Sequence, residues 1–346
     1  MIDWQRSKTV EWRVCPVDRG TWASGDPVPG IDSIECQSDA SGESPLIDAG
    51  SMALTGVDLA PGYYRISMVA RQDGATELVH LMTLLFEGVG SSVSHRTRTV
   101  TADGRSVLWP AEARLLMGDT YAPEGADGAE YVASLLRSVC HAPVVVDLGA
   151  AWTLGAPVWG TAGQPMLAHA WEVLRAGGRT LRIDGDGTIH VSPMPTEPAL
   201  TLDAASSAML LPGIESTLDI TAVPNAYTAI SGTESATSIN NDPDSAASTV
   251  SRGYRYDVVD TAPKPIEGET LEAYARRRLS EASIVSDERT YTRKYVPGIH
   301  VGDVVLGAMP SQGLDGRFRI VSIGYELGGA LSVTETATRE VSLWQA

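Results

Sequence analysis

Six histidines, three cysteines and an Asp-Gly-Asp-Gly run are the side chains of this sequence whose types could do chemistry. His80, His95, His141, His169, His190 and His300 stand singly, with no H-E-x-x-H or comparable pair, so a hydrolytic zinc has no ligands at a recognisable spacing. Cys15, Cys36 and Cys140 are odd in number and widely spaced. They form no C-x-x-C, neither Cys36 nor Cys140 lies in a cysteine-protease nucleophile sequence, and all three read as small buried hydrophobes of a reducing compartment. Asp184-Gly185-Asp186-Gly187 opens like a calcium loop but lacks the bidentate acid that would fall near Pro195 and the flanking helices. Gly88-Val89-Gly90-Ser91-Ser92-Val93 is one glycine short of a dinucleotide fingerprint, and neither a phosphate-binding G-x-x-x-x-G-K-[ST] loop nor a G-x-S-x-G nucleophile elbow occurs. A glycosidase needs two well-separated acids, and 43 acidic residues single out no pair. Trp4, Trp12, Trp22, Trp109, Trp152, Trp159, Trp171 and Trp344 are numerous enough for a carbohydrate platform, but core packing and subunit anchoring are commoner uses, and Trp171 reads as core. The expectation is a non-enzyme with no catalytic, cofactor-binding or metal-binding residues and no cofactor.

The elements that would position these side chains divide into three stretches. Residues 1–107 alternate short β-prone runs with Gly, Pro, Asp and Ser: Trp12-Arg13-Val14, Ser33 to Cys36, Met52 to Leu54 and Tyr63 to Val69, the spacing of an antiparallel β domain. Glu77 to Val89 is apolar at both parities and reads as a doubly covered strand. Residues 108–195 form an α+β insert. Val132, Leu135, Leu136 and Val139 have helical spacing behind a cap at Asp127; Pro165 begins a second helix with Leu167, Ala170, Trp171 and Leu174 on its stripe, and Gly177-Gly178 ends it. Thr180 to Ile183 and Thr188 to Ser192 flank the Asp-Gly turn as a hairpin.

Residues 196–346, entered through Pro193, Pro195 and Pro198, read as a second β domain. Residues 232–251 are nearly all Ser, Thr, Asn, Asp, Ala and Pro, a composition expected to form an exposed loop. Residues 270–283 form an amphipathic helix with Leu271, Tyr274, Ala275, Leu279 and Ala282 on one face; Glu272 with Arg276 and Arg277 with Glu281 are four apart, so Arg276-Arg277-Arg278 reads as a solvated face rather than a nucleic-acid patch. Val301 to Leu306, Gly316 to Ile323 and Ser332 to Thr336 are strands with Gly-rich turns, the material of a small barrel. No short-period repeat is visible, which argues against a solenoid or propeller. The fold class expected is α+β and β-rich: two small β-barrel-like domains, the insert and an extra amphipathic helix.

Composition sets outer bounds. A chain of 346 residues predicts two or three domains, and 43% hydrophobic with 20% charged residues is ordinary globular composition. A formal net charge of −17 argues against wrapping DNA or an anionic membrane, which requires clustered Lys and Arg. Of the 26 basic residues Lys8, Lys264 and Lys294 are the lysines, a bias that reads as GC-rich coding. Met1 to Lys8 leads into no apolar stretch and no segment reaches bilayer-spanning length, so the expectation is a soluble chain made in the cytoplasm without a leader.

The order of parts, with Pro61-Gly62-Tyr63-Tyr64-Arg65-Ile66, Ala170-Trp171-Glu172-Val173-Leu174-Arg175-Ala176-Gly177, Gly185-Asp186-Gly187-Thr188, and Gly268-Glu269-Thr270-Leu271 through Arg276-Arg277-Arg278-Leu279 to Tyr291-Thr292-Arg293, resembles the tail hub or baseplate hub proteins of tailed bacteriophages and contractile injection systems. The resemblance covers most of the chain and rests on pattern rather than on a reactive motif. It implies a structural virion protein at the tail tip: a homotrimer whose two β barrels per chain adapt the six-fold tail tube to a three-fold tip. The partners implied are the tail tube or distal tail ring, a tip, spike or fibre protein and a tape-measure protein, with DNA passing through the channel without specific binding. Carboxylates along such a channel would repel phosphates during ejection. The alternative is a tail-tip glycan-binding or wall-degrading protein.

Overall fold

In a computed structural model the chain is described at residues 2–4, 6–40, 47–94, 97–203, 209–326 and 332–344. The N-terminal strands are β1 (Thr9–Val17), β2 (Ile31–Asp39), β3 (Ile47–Thr55), β4 (Gly62–Gln72), β5 (Ala75–Ser94) and β6 (Thr97–Ser106). The insert holds α1 (Trp109–Ala113), β7 (Thr120–Ala122), α2 (Gly128–Arg137), β8 (Val144–Val146), β9 (Val158–Gly160), α3 (Met166–Ala176), β10 (Arg179–Ile183) and β11 (Ile189–Pro193). Then follow β12 (Pro198–Asp203), β13 (Met209–Leu218), β14 (Ala226–Ser231), β15 (Glu234–Ile239), α4 (Thr249–Arg252), β16 (Asp257–Asp260), α5 (Leu271–Ala282), β17 (Ile284–Lys294), β18 (Val304–Met309), β19 (Leu314–Glu326) and β20 (Ser332–Ser342).

The fold is β-rich α+β, and its main sheet is curled into a half-barrel. Both expected β regions contribute to that one 12-stranded sheet, in the order β1-β4-β5-β6-β3-β2-β19-β20-β17-β13, with β18 on β19 and β12 on β18. The seam is β2 against β19, antiparallel, with Cys36 opposite Tyr325 and Gln37 opposite Gly324. Backbone hydrogen bonds thus tie the C-terminal strands into the N-terminal sheet, and the boundaries expected at 107 and 195 are not where the chain divides. Residues 1–214 with 290–337 form one compact unit, and 215–289 with 338–346 form a second.

Curling in the first unit has a local cause. Cys36 faces Gly50 and Gly50 faces Gly104 in one cross-strand row. A Cβ on Gly104 would come within 2.7 Å of the Phe86 ring, and one on Gly50 within 2.7 Å of Leu84. With no side chain at either position, Phe86 and Leu84 fold over the backbone and the sheet closes on Val14, Ile34, Met52, Ile66 and Val100, all buried. At Glu77 to Val89 the expected strand is present as part of β5.

The insert contains a duplication that its sequence conceals. The offset of 38 residues that carries Tyr121 to Trp159 also carries the start of α2, Gly128, to the start of α3, Met166. It likewise maps Gly125 (φ 80°) onto Gly163 (φ 85°). Gly125 N–H donates to Leu154 O (2.8 Å) and Gly163 N–H to Leu116 O (2.9 Å), the same bond in each half. Tyr121 pairs with Trp159, and the bridges Leu115 to Pro165 and Asp127 to Thr153 keep the same register. Two β-loop-α halves are therefore related by an approximate two-fold axis through the Tyr121/Trp159 pair, and their helices meet where the Tyr131 hydroxyl contacts His169 Nε2 at 3.0 Å. Asp127 caps α2 by accepting from Ala129 and Glu130 N–H, as its position predicts; Pro165 is the cap of α3 rather than its first residue.

The second unit corrects one expectation. Residues 232–251 include β15 and most of α4, and Asn240, Ser245, Ala247 and Ser248 are buried. The segment folds because its polar groups satisfy one another: Asn240 Nδ2 donates to Ser245 Oγ (2.9 Å), Ser245 N–H to Asp242 O (3.1 Å) and Asn240 N–H to Asn225 O (2.8 Å). β15, β14 and β16 form a three-stranded sheet, and α5 lays Tyr274, Ala275 and Leu279 against its Tyr227 and Ala229. Thr270 caps α5, and Arg276, Arg277 and Arg278 each reach a glutamate: Glu272, Glu269 with Glu281, and Glu281.

Candidate functional site: a carboxylate-lined groove on the curled sheet

The face of β2, β3 and β6 opposite the glycine row is open. Register places Ser33, Ala53 and Thr101 in one row across it, Glu35, Ser51 and Asp103 in the next, and Gln37, Ala49 and Arg105 in a third. Small residues in the central strand leave a shallow groove of about 850 Å³ that continues over the β2–β19 seam to Gly324 and Thr334. Asp32, Glu35 and Asp103 are the charged residues that line it. Arg105, in the adjoining row, is held over the Trp109 ring at 3.9 Å, so its charge is drawn toward α1. The surface can repel a polyanion and accept hydrogen bonds.

The insert is fixed to this sheet through the Asp-Gly-Asp-Gly turn, which behaves as a structural peg. Thr83 Oγ1 donates to Gly185 O (3.0 Å), while Arg65 Nη2 and Trp22 Nε1 both donate to Asp186 O (2.8 Å each). Beside it His190 stands between two carboxylates, Nδ1 2.7 Å from Asp147 and Nε2 3.1 Å from Asp184. Ser192 donates its hydroxyl to Asp147 (2.5 Å) rather than to the imidazole, so the trio does not make a serine nucleophile. Asp184 also lies 3.8 Å from His300.

His300, Asp184 and the buried Asp48 border a cavity of about 20 Å³, room for one water. Asp48 accepts from Ser38 (2.5 Å), and burial pushes its carboxyl up to about 6, against the pull of that hydrogen bond and of His300. A carboxyl whose folded pKa is raised adds stability below its unfolded value, near 4, and loses it as pH rises to about 6. Asp48→Asn, which keeps an acceptor for Ser38, is therefore expected to stabilise the fold by roughly 3 kcal/mol at pH 8 and by almost nothing at pH 4. Thermal melts at the two pH values check this, and an equal shift at both would contradict it.

The remaining chemistry-bearing residues do not converge. Among the described residues no three His, Cys, Asp or Glu side chains are grouped to hold a metal. His169 is fully buried in the insert, His80 bonds Ser67 (2.8 Å), His141 meets Tyr63, and His95 lies outside the described residues. Burial pushes the Cys36 and Cys140 thiols up to about 12, which leaves them unreactive at neutral pH. Trp171 packs on the core as expected, but Trp159 is 61% exposed.

No family model and no curated protein sequence matches the chain. Solved structures do. A tail protein from Neisseria meningitidis aligns over 95% of this chain and 96% of its own, at 14% identity and TM-score 0.61. The 43 kDa tail protein of prophage MuSo2 from Shewanella oneidensis aligns over 97% and 98%, at 13% identity and TM-score 0.54. The chain has the fold of phage tail proteins. A chain of the Francisella PdpA–VgrG complex shares it more loosely, at 7% identity and TM-score 0.52, over 96% of this chain and 58% of that one. In a tail-protein fold of this kind, the groove and the seam beneath it belong to the sheet that both β regions build. No helix among the described residues is long and apolar enough to cross a membrane.

Proposed function

We propose that this chain is a non-enzymatic hub of a phage tail. Three copies close a ring at the tail tip, with the tube or distal ring on one rim and a tip, spike or fibre protein on the other. A tape-measure protein is a further partner. The observation that carries the reading is the end-to-end likeness to tail proteins, which leaves at most a few per cent of either chain unmatched. The sheet supports it: two β regions fused through β2 and β19 give each copy two lateral stretches of β structure, so three copies present six to a six-fold neighbour. In this arrangement the groove of Asp32, Glu35 and Asp103 lines the channel. Its carboxylates keep passing DNA from adhering, within a Debye length of about 8 Å at physiological salt.

Native mass measurement is the test. A 36.6 kDa chain is expected to appear at three times that mass, alone or on mixing with its tail-tube protein. A species that stays at the mass of one chain under both conditions would remove the trimeric hub.

A further inference from the structure

The Asp-Gly turn belongs to a row of five side chains in which carboxylates and imidazoles alternate. Asp147 faces His190 Nδ1 (2.7 Å), His190 Nε2 faces Asp184 (3.1 Å), Asp184 faces His300 Nε2 (3.8 Å), and His300 Nδ1 faces Asp303 (3.8 Å). Asp147, Asp184 and His190 belong to the insert, just after β8, just after β10 and on β11. His300 and Asp303 lie in the turn before β18, held to β19 by the bonds from Gly302 N–H to Ile320 O (2.8 Å) and from Ile320 N–H to Asp303 O (2.9 Å). The row therefore runs from the insert to the main sheet. A neutral imidazole has one N–H, so in each ring one nitrogen would turn a lone pair toward a carboxylate. Only the protonated ring presents hydrogen on both sides.

The surrounding charges favour the same state. The Asp48 carboxyl of β3 faces His300 across the small cavity, with Ser38 of β2 as its hydrogen-bond donor, the Tyr325 phenol of β19 nearby and the apolar Leu81 and Met82 of β5 beneath. The guanidinium groups acting on the row are Arg182 of β10, 3.1 Å from Asp184, and Arg319 of β19, which donates to Gly302 O and feels the charge of Asp303. Four carboxyl groups thus face two guanidinium groups, and protons on the two rings bring the charges level. Burial works against the charge of Asp147, but hydrogen bonds from Ser192 and His190 more than offset it and hold that carboxyl below its usual value, so Asp147 stays ionised when the ring beside it takes up a proton.

We propose that this row is a proton-operated clasp on the insert. With both rings protonated it draws the β10–β11 hairpin onto the turn before β18. With both neutral, lone pairs oppose carboxylates, and the hairpin keeps only its peg contacts to Thr83, Arg65 and Trp22. An imidazole in water changes charge at about pH 6.5, so the clasp is firm at pH 5.5 and slack at pH 8. Asp48, whose raised carboxyl adds stability only in acid, acts in the same direction. The clasp works within one copy of the chain and is independent of the hub reading.

Hydrogen–deuterium exchange of the full chain at pH 5.5 and pH 8, corrected for the chemical exchange rate, tests it. Hairpin amides, such as Asp184 N–H on Thr188 O and Ile189 N–H on Pro143 O, are expected to exchange about tenfold faster at pH 8, while those of β6 stay nearly constant. His190→Gln and His300→Gln remain polar but take up no proton, so each should exchange at pH 5.5 nearly as fast as the wild type does at pH 8. Asp48→Asn separates the row from the buried carboxyl, and most of the difference should survive it. Equal hairpin exchange at the two pH values overturns the proposal. So does a difference that persists in both Gln variants, one lost in Asp48→Asn, or one that β6 shares in full, which is a loss of stability by the whole fold rather than a clasp.

Discussion

Arg293→Met is expected to cost the first unit about 3–5 kcal/mol, enough to consume much of the stability of an ordinary domain. Arg293 and Glu335 form an ion pair whose side chains are 1% and 0% exposed. Burial opposes the Arg293 charge, and Glu335, with smaller contributions from Tyr291 and Tyr325, more than offsets it, so the guanidinium pKa lies above its ordinary value. Burial and the same carboxylate push the Tyr291 phenol well above its usual range, a sign of how dry the site is. Removing the guanidinium leaves a carboxylate with neither water nor a counter-charge. Replacing both, Arg293→Met with Glu335→Leu, should recover most of the loss, because the penalty comes from the orphaned charge rather than from the missing attraction. Urea midpoints of the single and double variants check both statements. A single variant within 1 kcal/mol of wild type would mean that water reaches the pair.

Gly185→Ala has a comparable expected effect by a different route. A Cβ there would lie 1.9 Å from the His80 carbonyl oxygen and 2.4 Å from its carbon, backbone atoms that cannot rotate aside. The turn must lift from β5, and the hydrogen bonds from Thr83, Arg65 and Trp22 to Gly185 and Asp186 carbonyls go with it. Arg65 is 6% exposed, so its charge loses a partner where water cannot replace it. Several such bonds, one of them charged, amount to about 3–5 kcal/mol. The expected signs are a lower melting temperature and new protease cleavage in residues 184–187. A melting temperature unchanged within a degree would show that the turn is not a peg.

Elements governed by local physics were legible in the sequence. Asp127 before an apolar stripe gave a capped helix, Asp-Gly between two β-prone runs gave a hairpin, and Leu271, Tyr274, Ala275, Leu279 and Ala282 at helical spacing gave α5. Non-local pairing was not legible. Nothing in Ser33 to Cys36 says that its partner is Tyr325 and Glu326 rather than another strand of its own region, because alternation fixes which face is buried but not which edge is used. The polar stretch 232–251 was misread because Asn240, Ser245 and Ser248 are buried through hydrogen bonds, and composition registers apolar burial alone.

The candidate sites were harder to see than the fold. The groove is made of Ser, Ala, Gln and three carboxylates gathered by cross-strand register, none of which forms a motif along the chain. Trp159 looked like the other seven tryptophans, and its exposure depends on the duplicated ribbon. That duplication was invisible because the halves agree at few positions, Leu116 with Leu154, Gly125 with Gly163, Leu136 with Leu174 and Arg137 with Arg175. The glycines mark a positive-φ turn and the leucines are buried, so geometry was preserved while surface identity drifted.

The β2–β19 seam also has a consequence for biosynthesis. During translation the edge of β2 emerges before the insert and most of the second unit, and the strand that covers it, β19, follows only after them. At about 5–20 residues per second the nascent chain carries that bare edge for tens of seconds. Asp32, Glu35 and Asp39 on β2 then act as gatekeepers against premature pairing with neighbouring nascent chains. A chain released before β19 lacks the strand that covers β2, so that edge stays open.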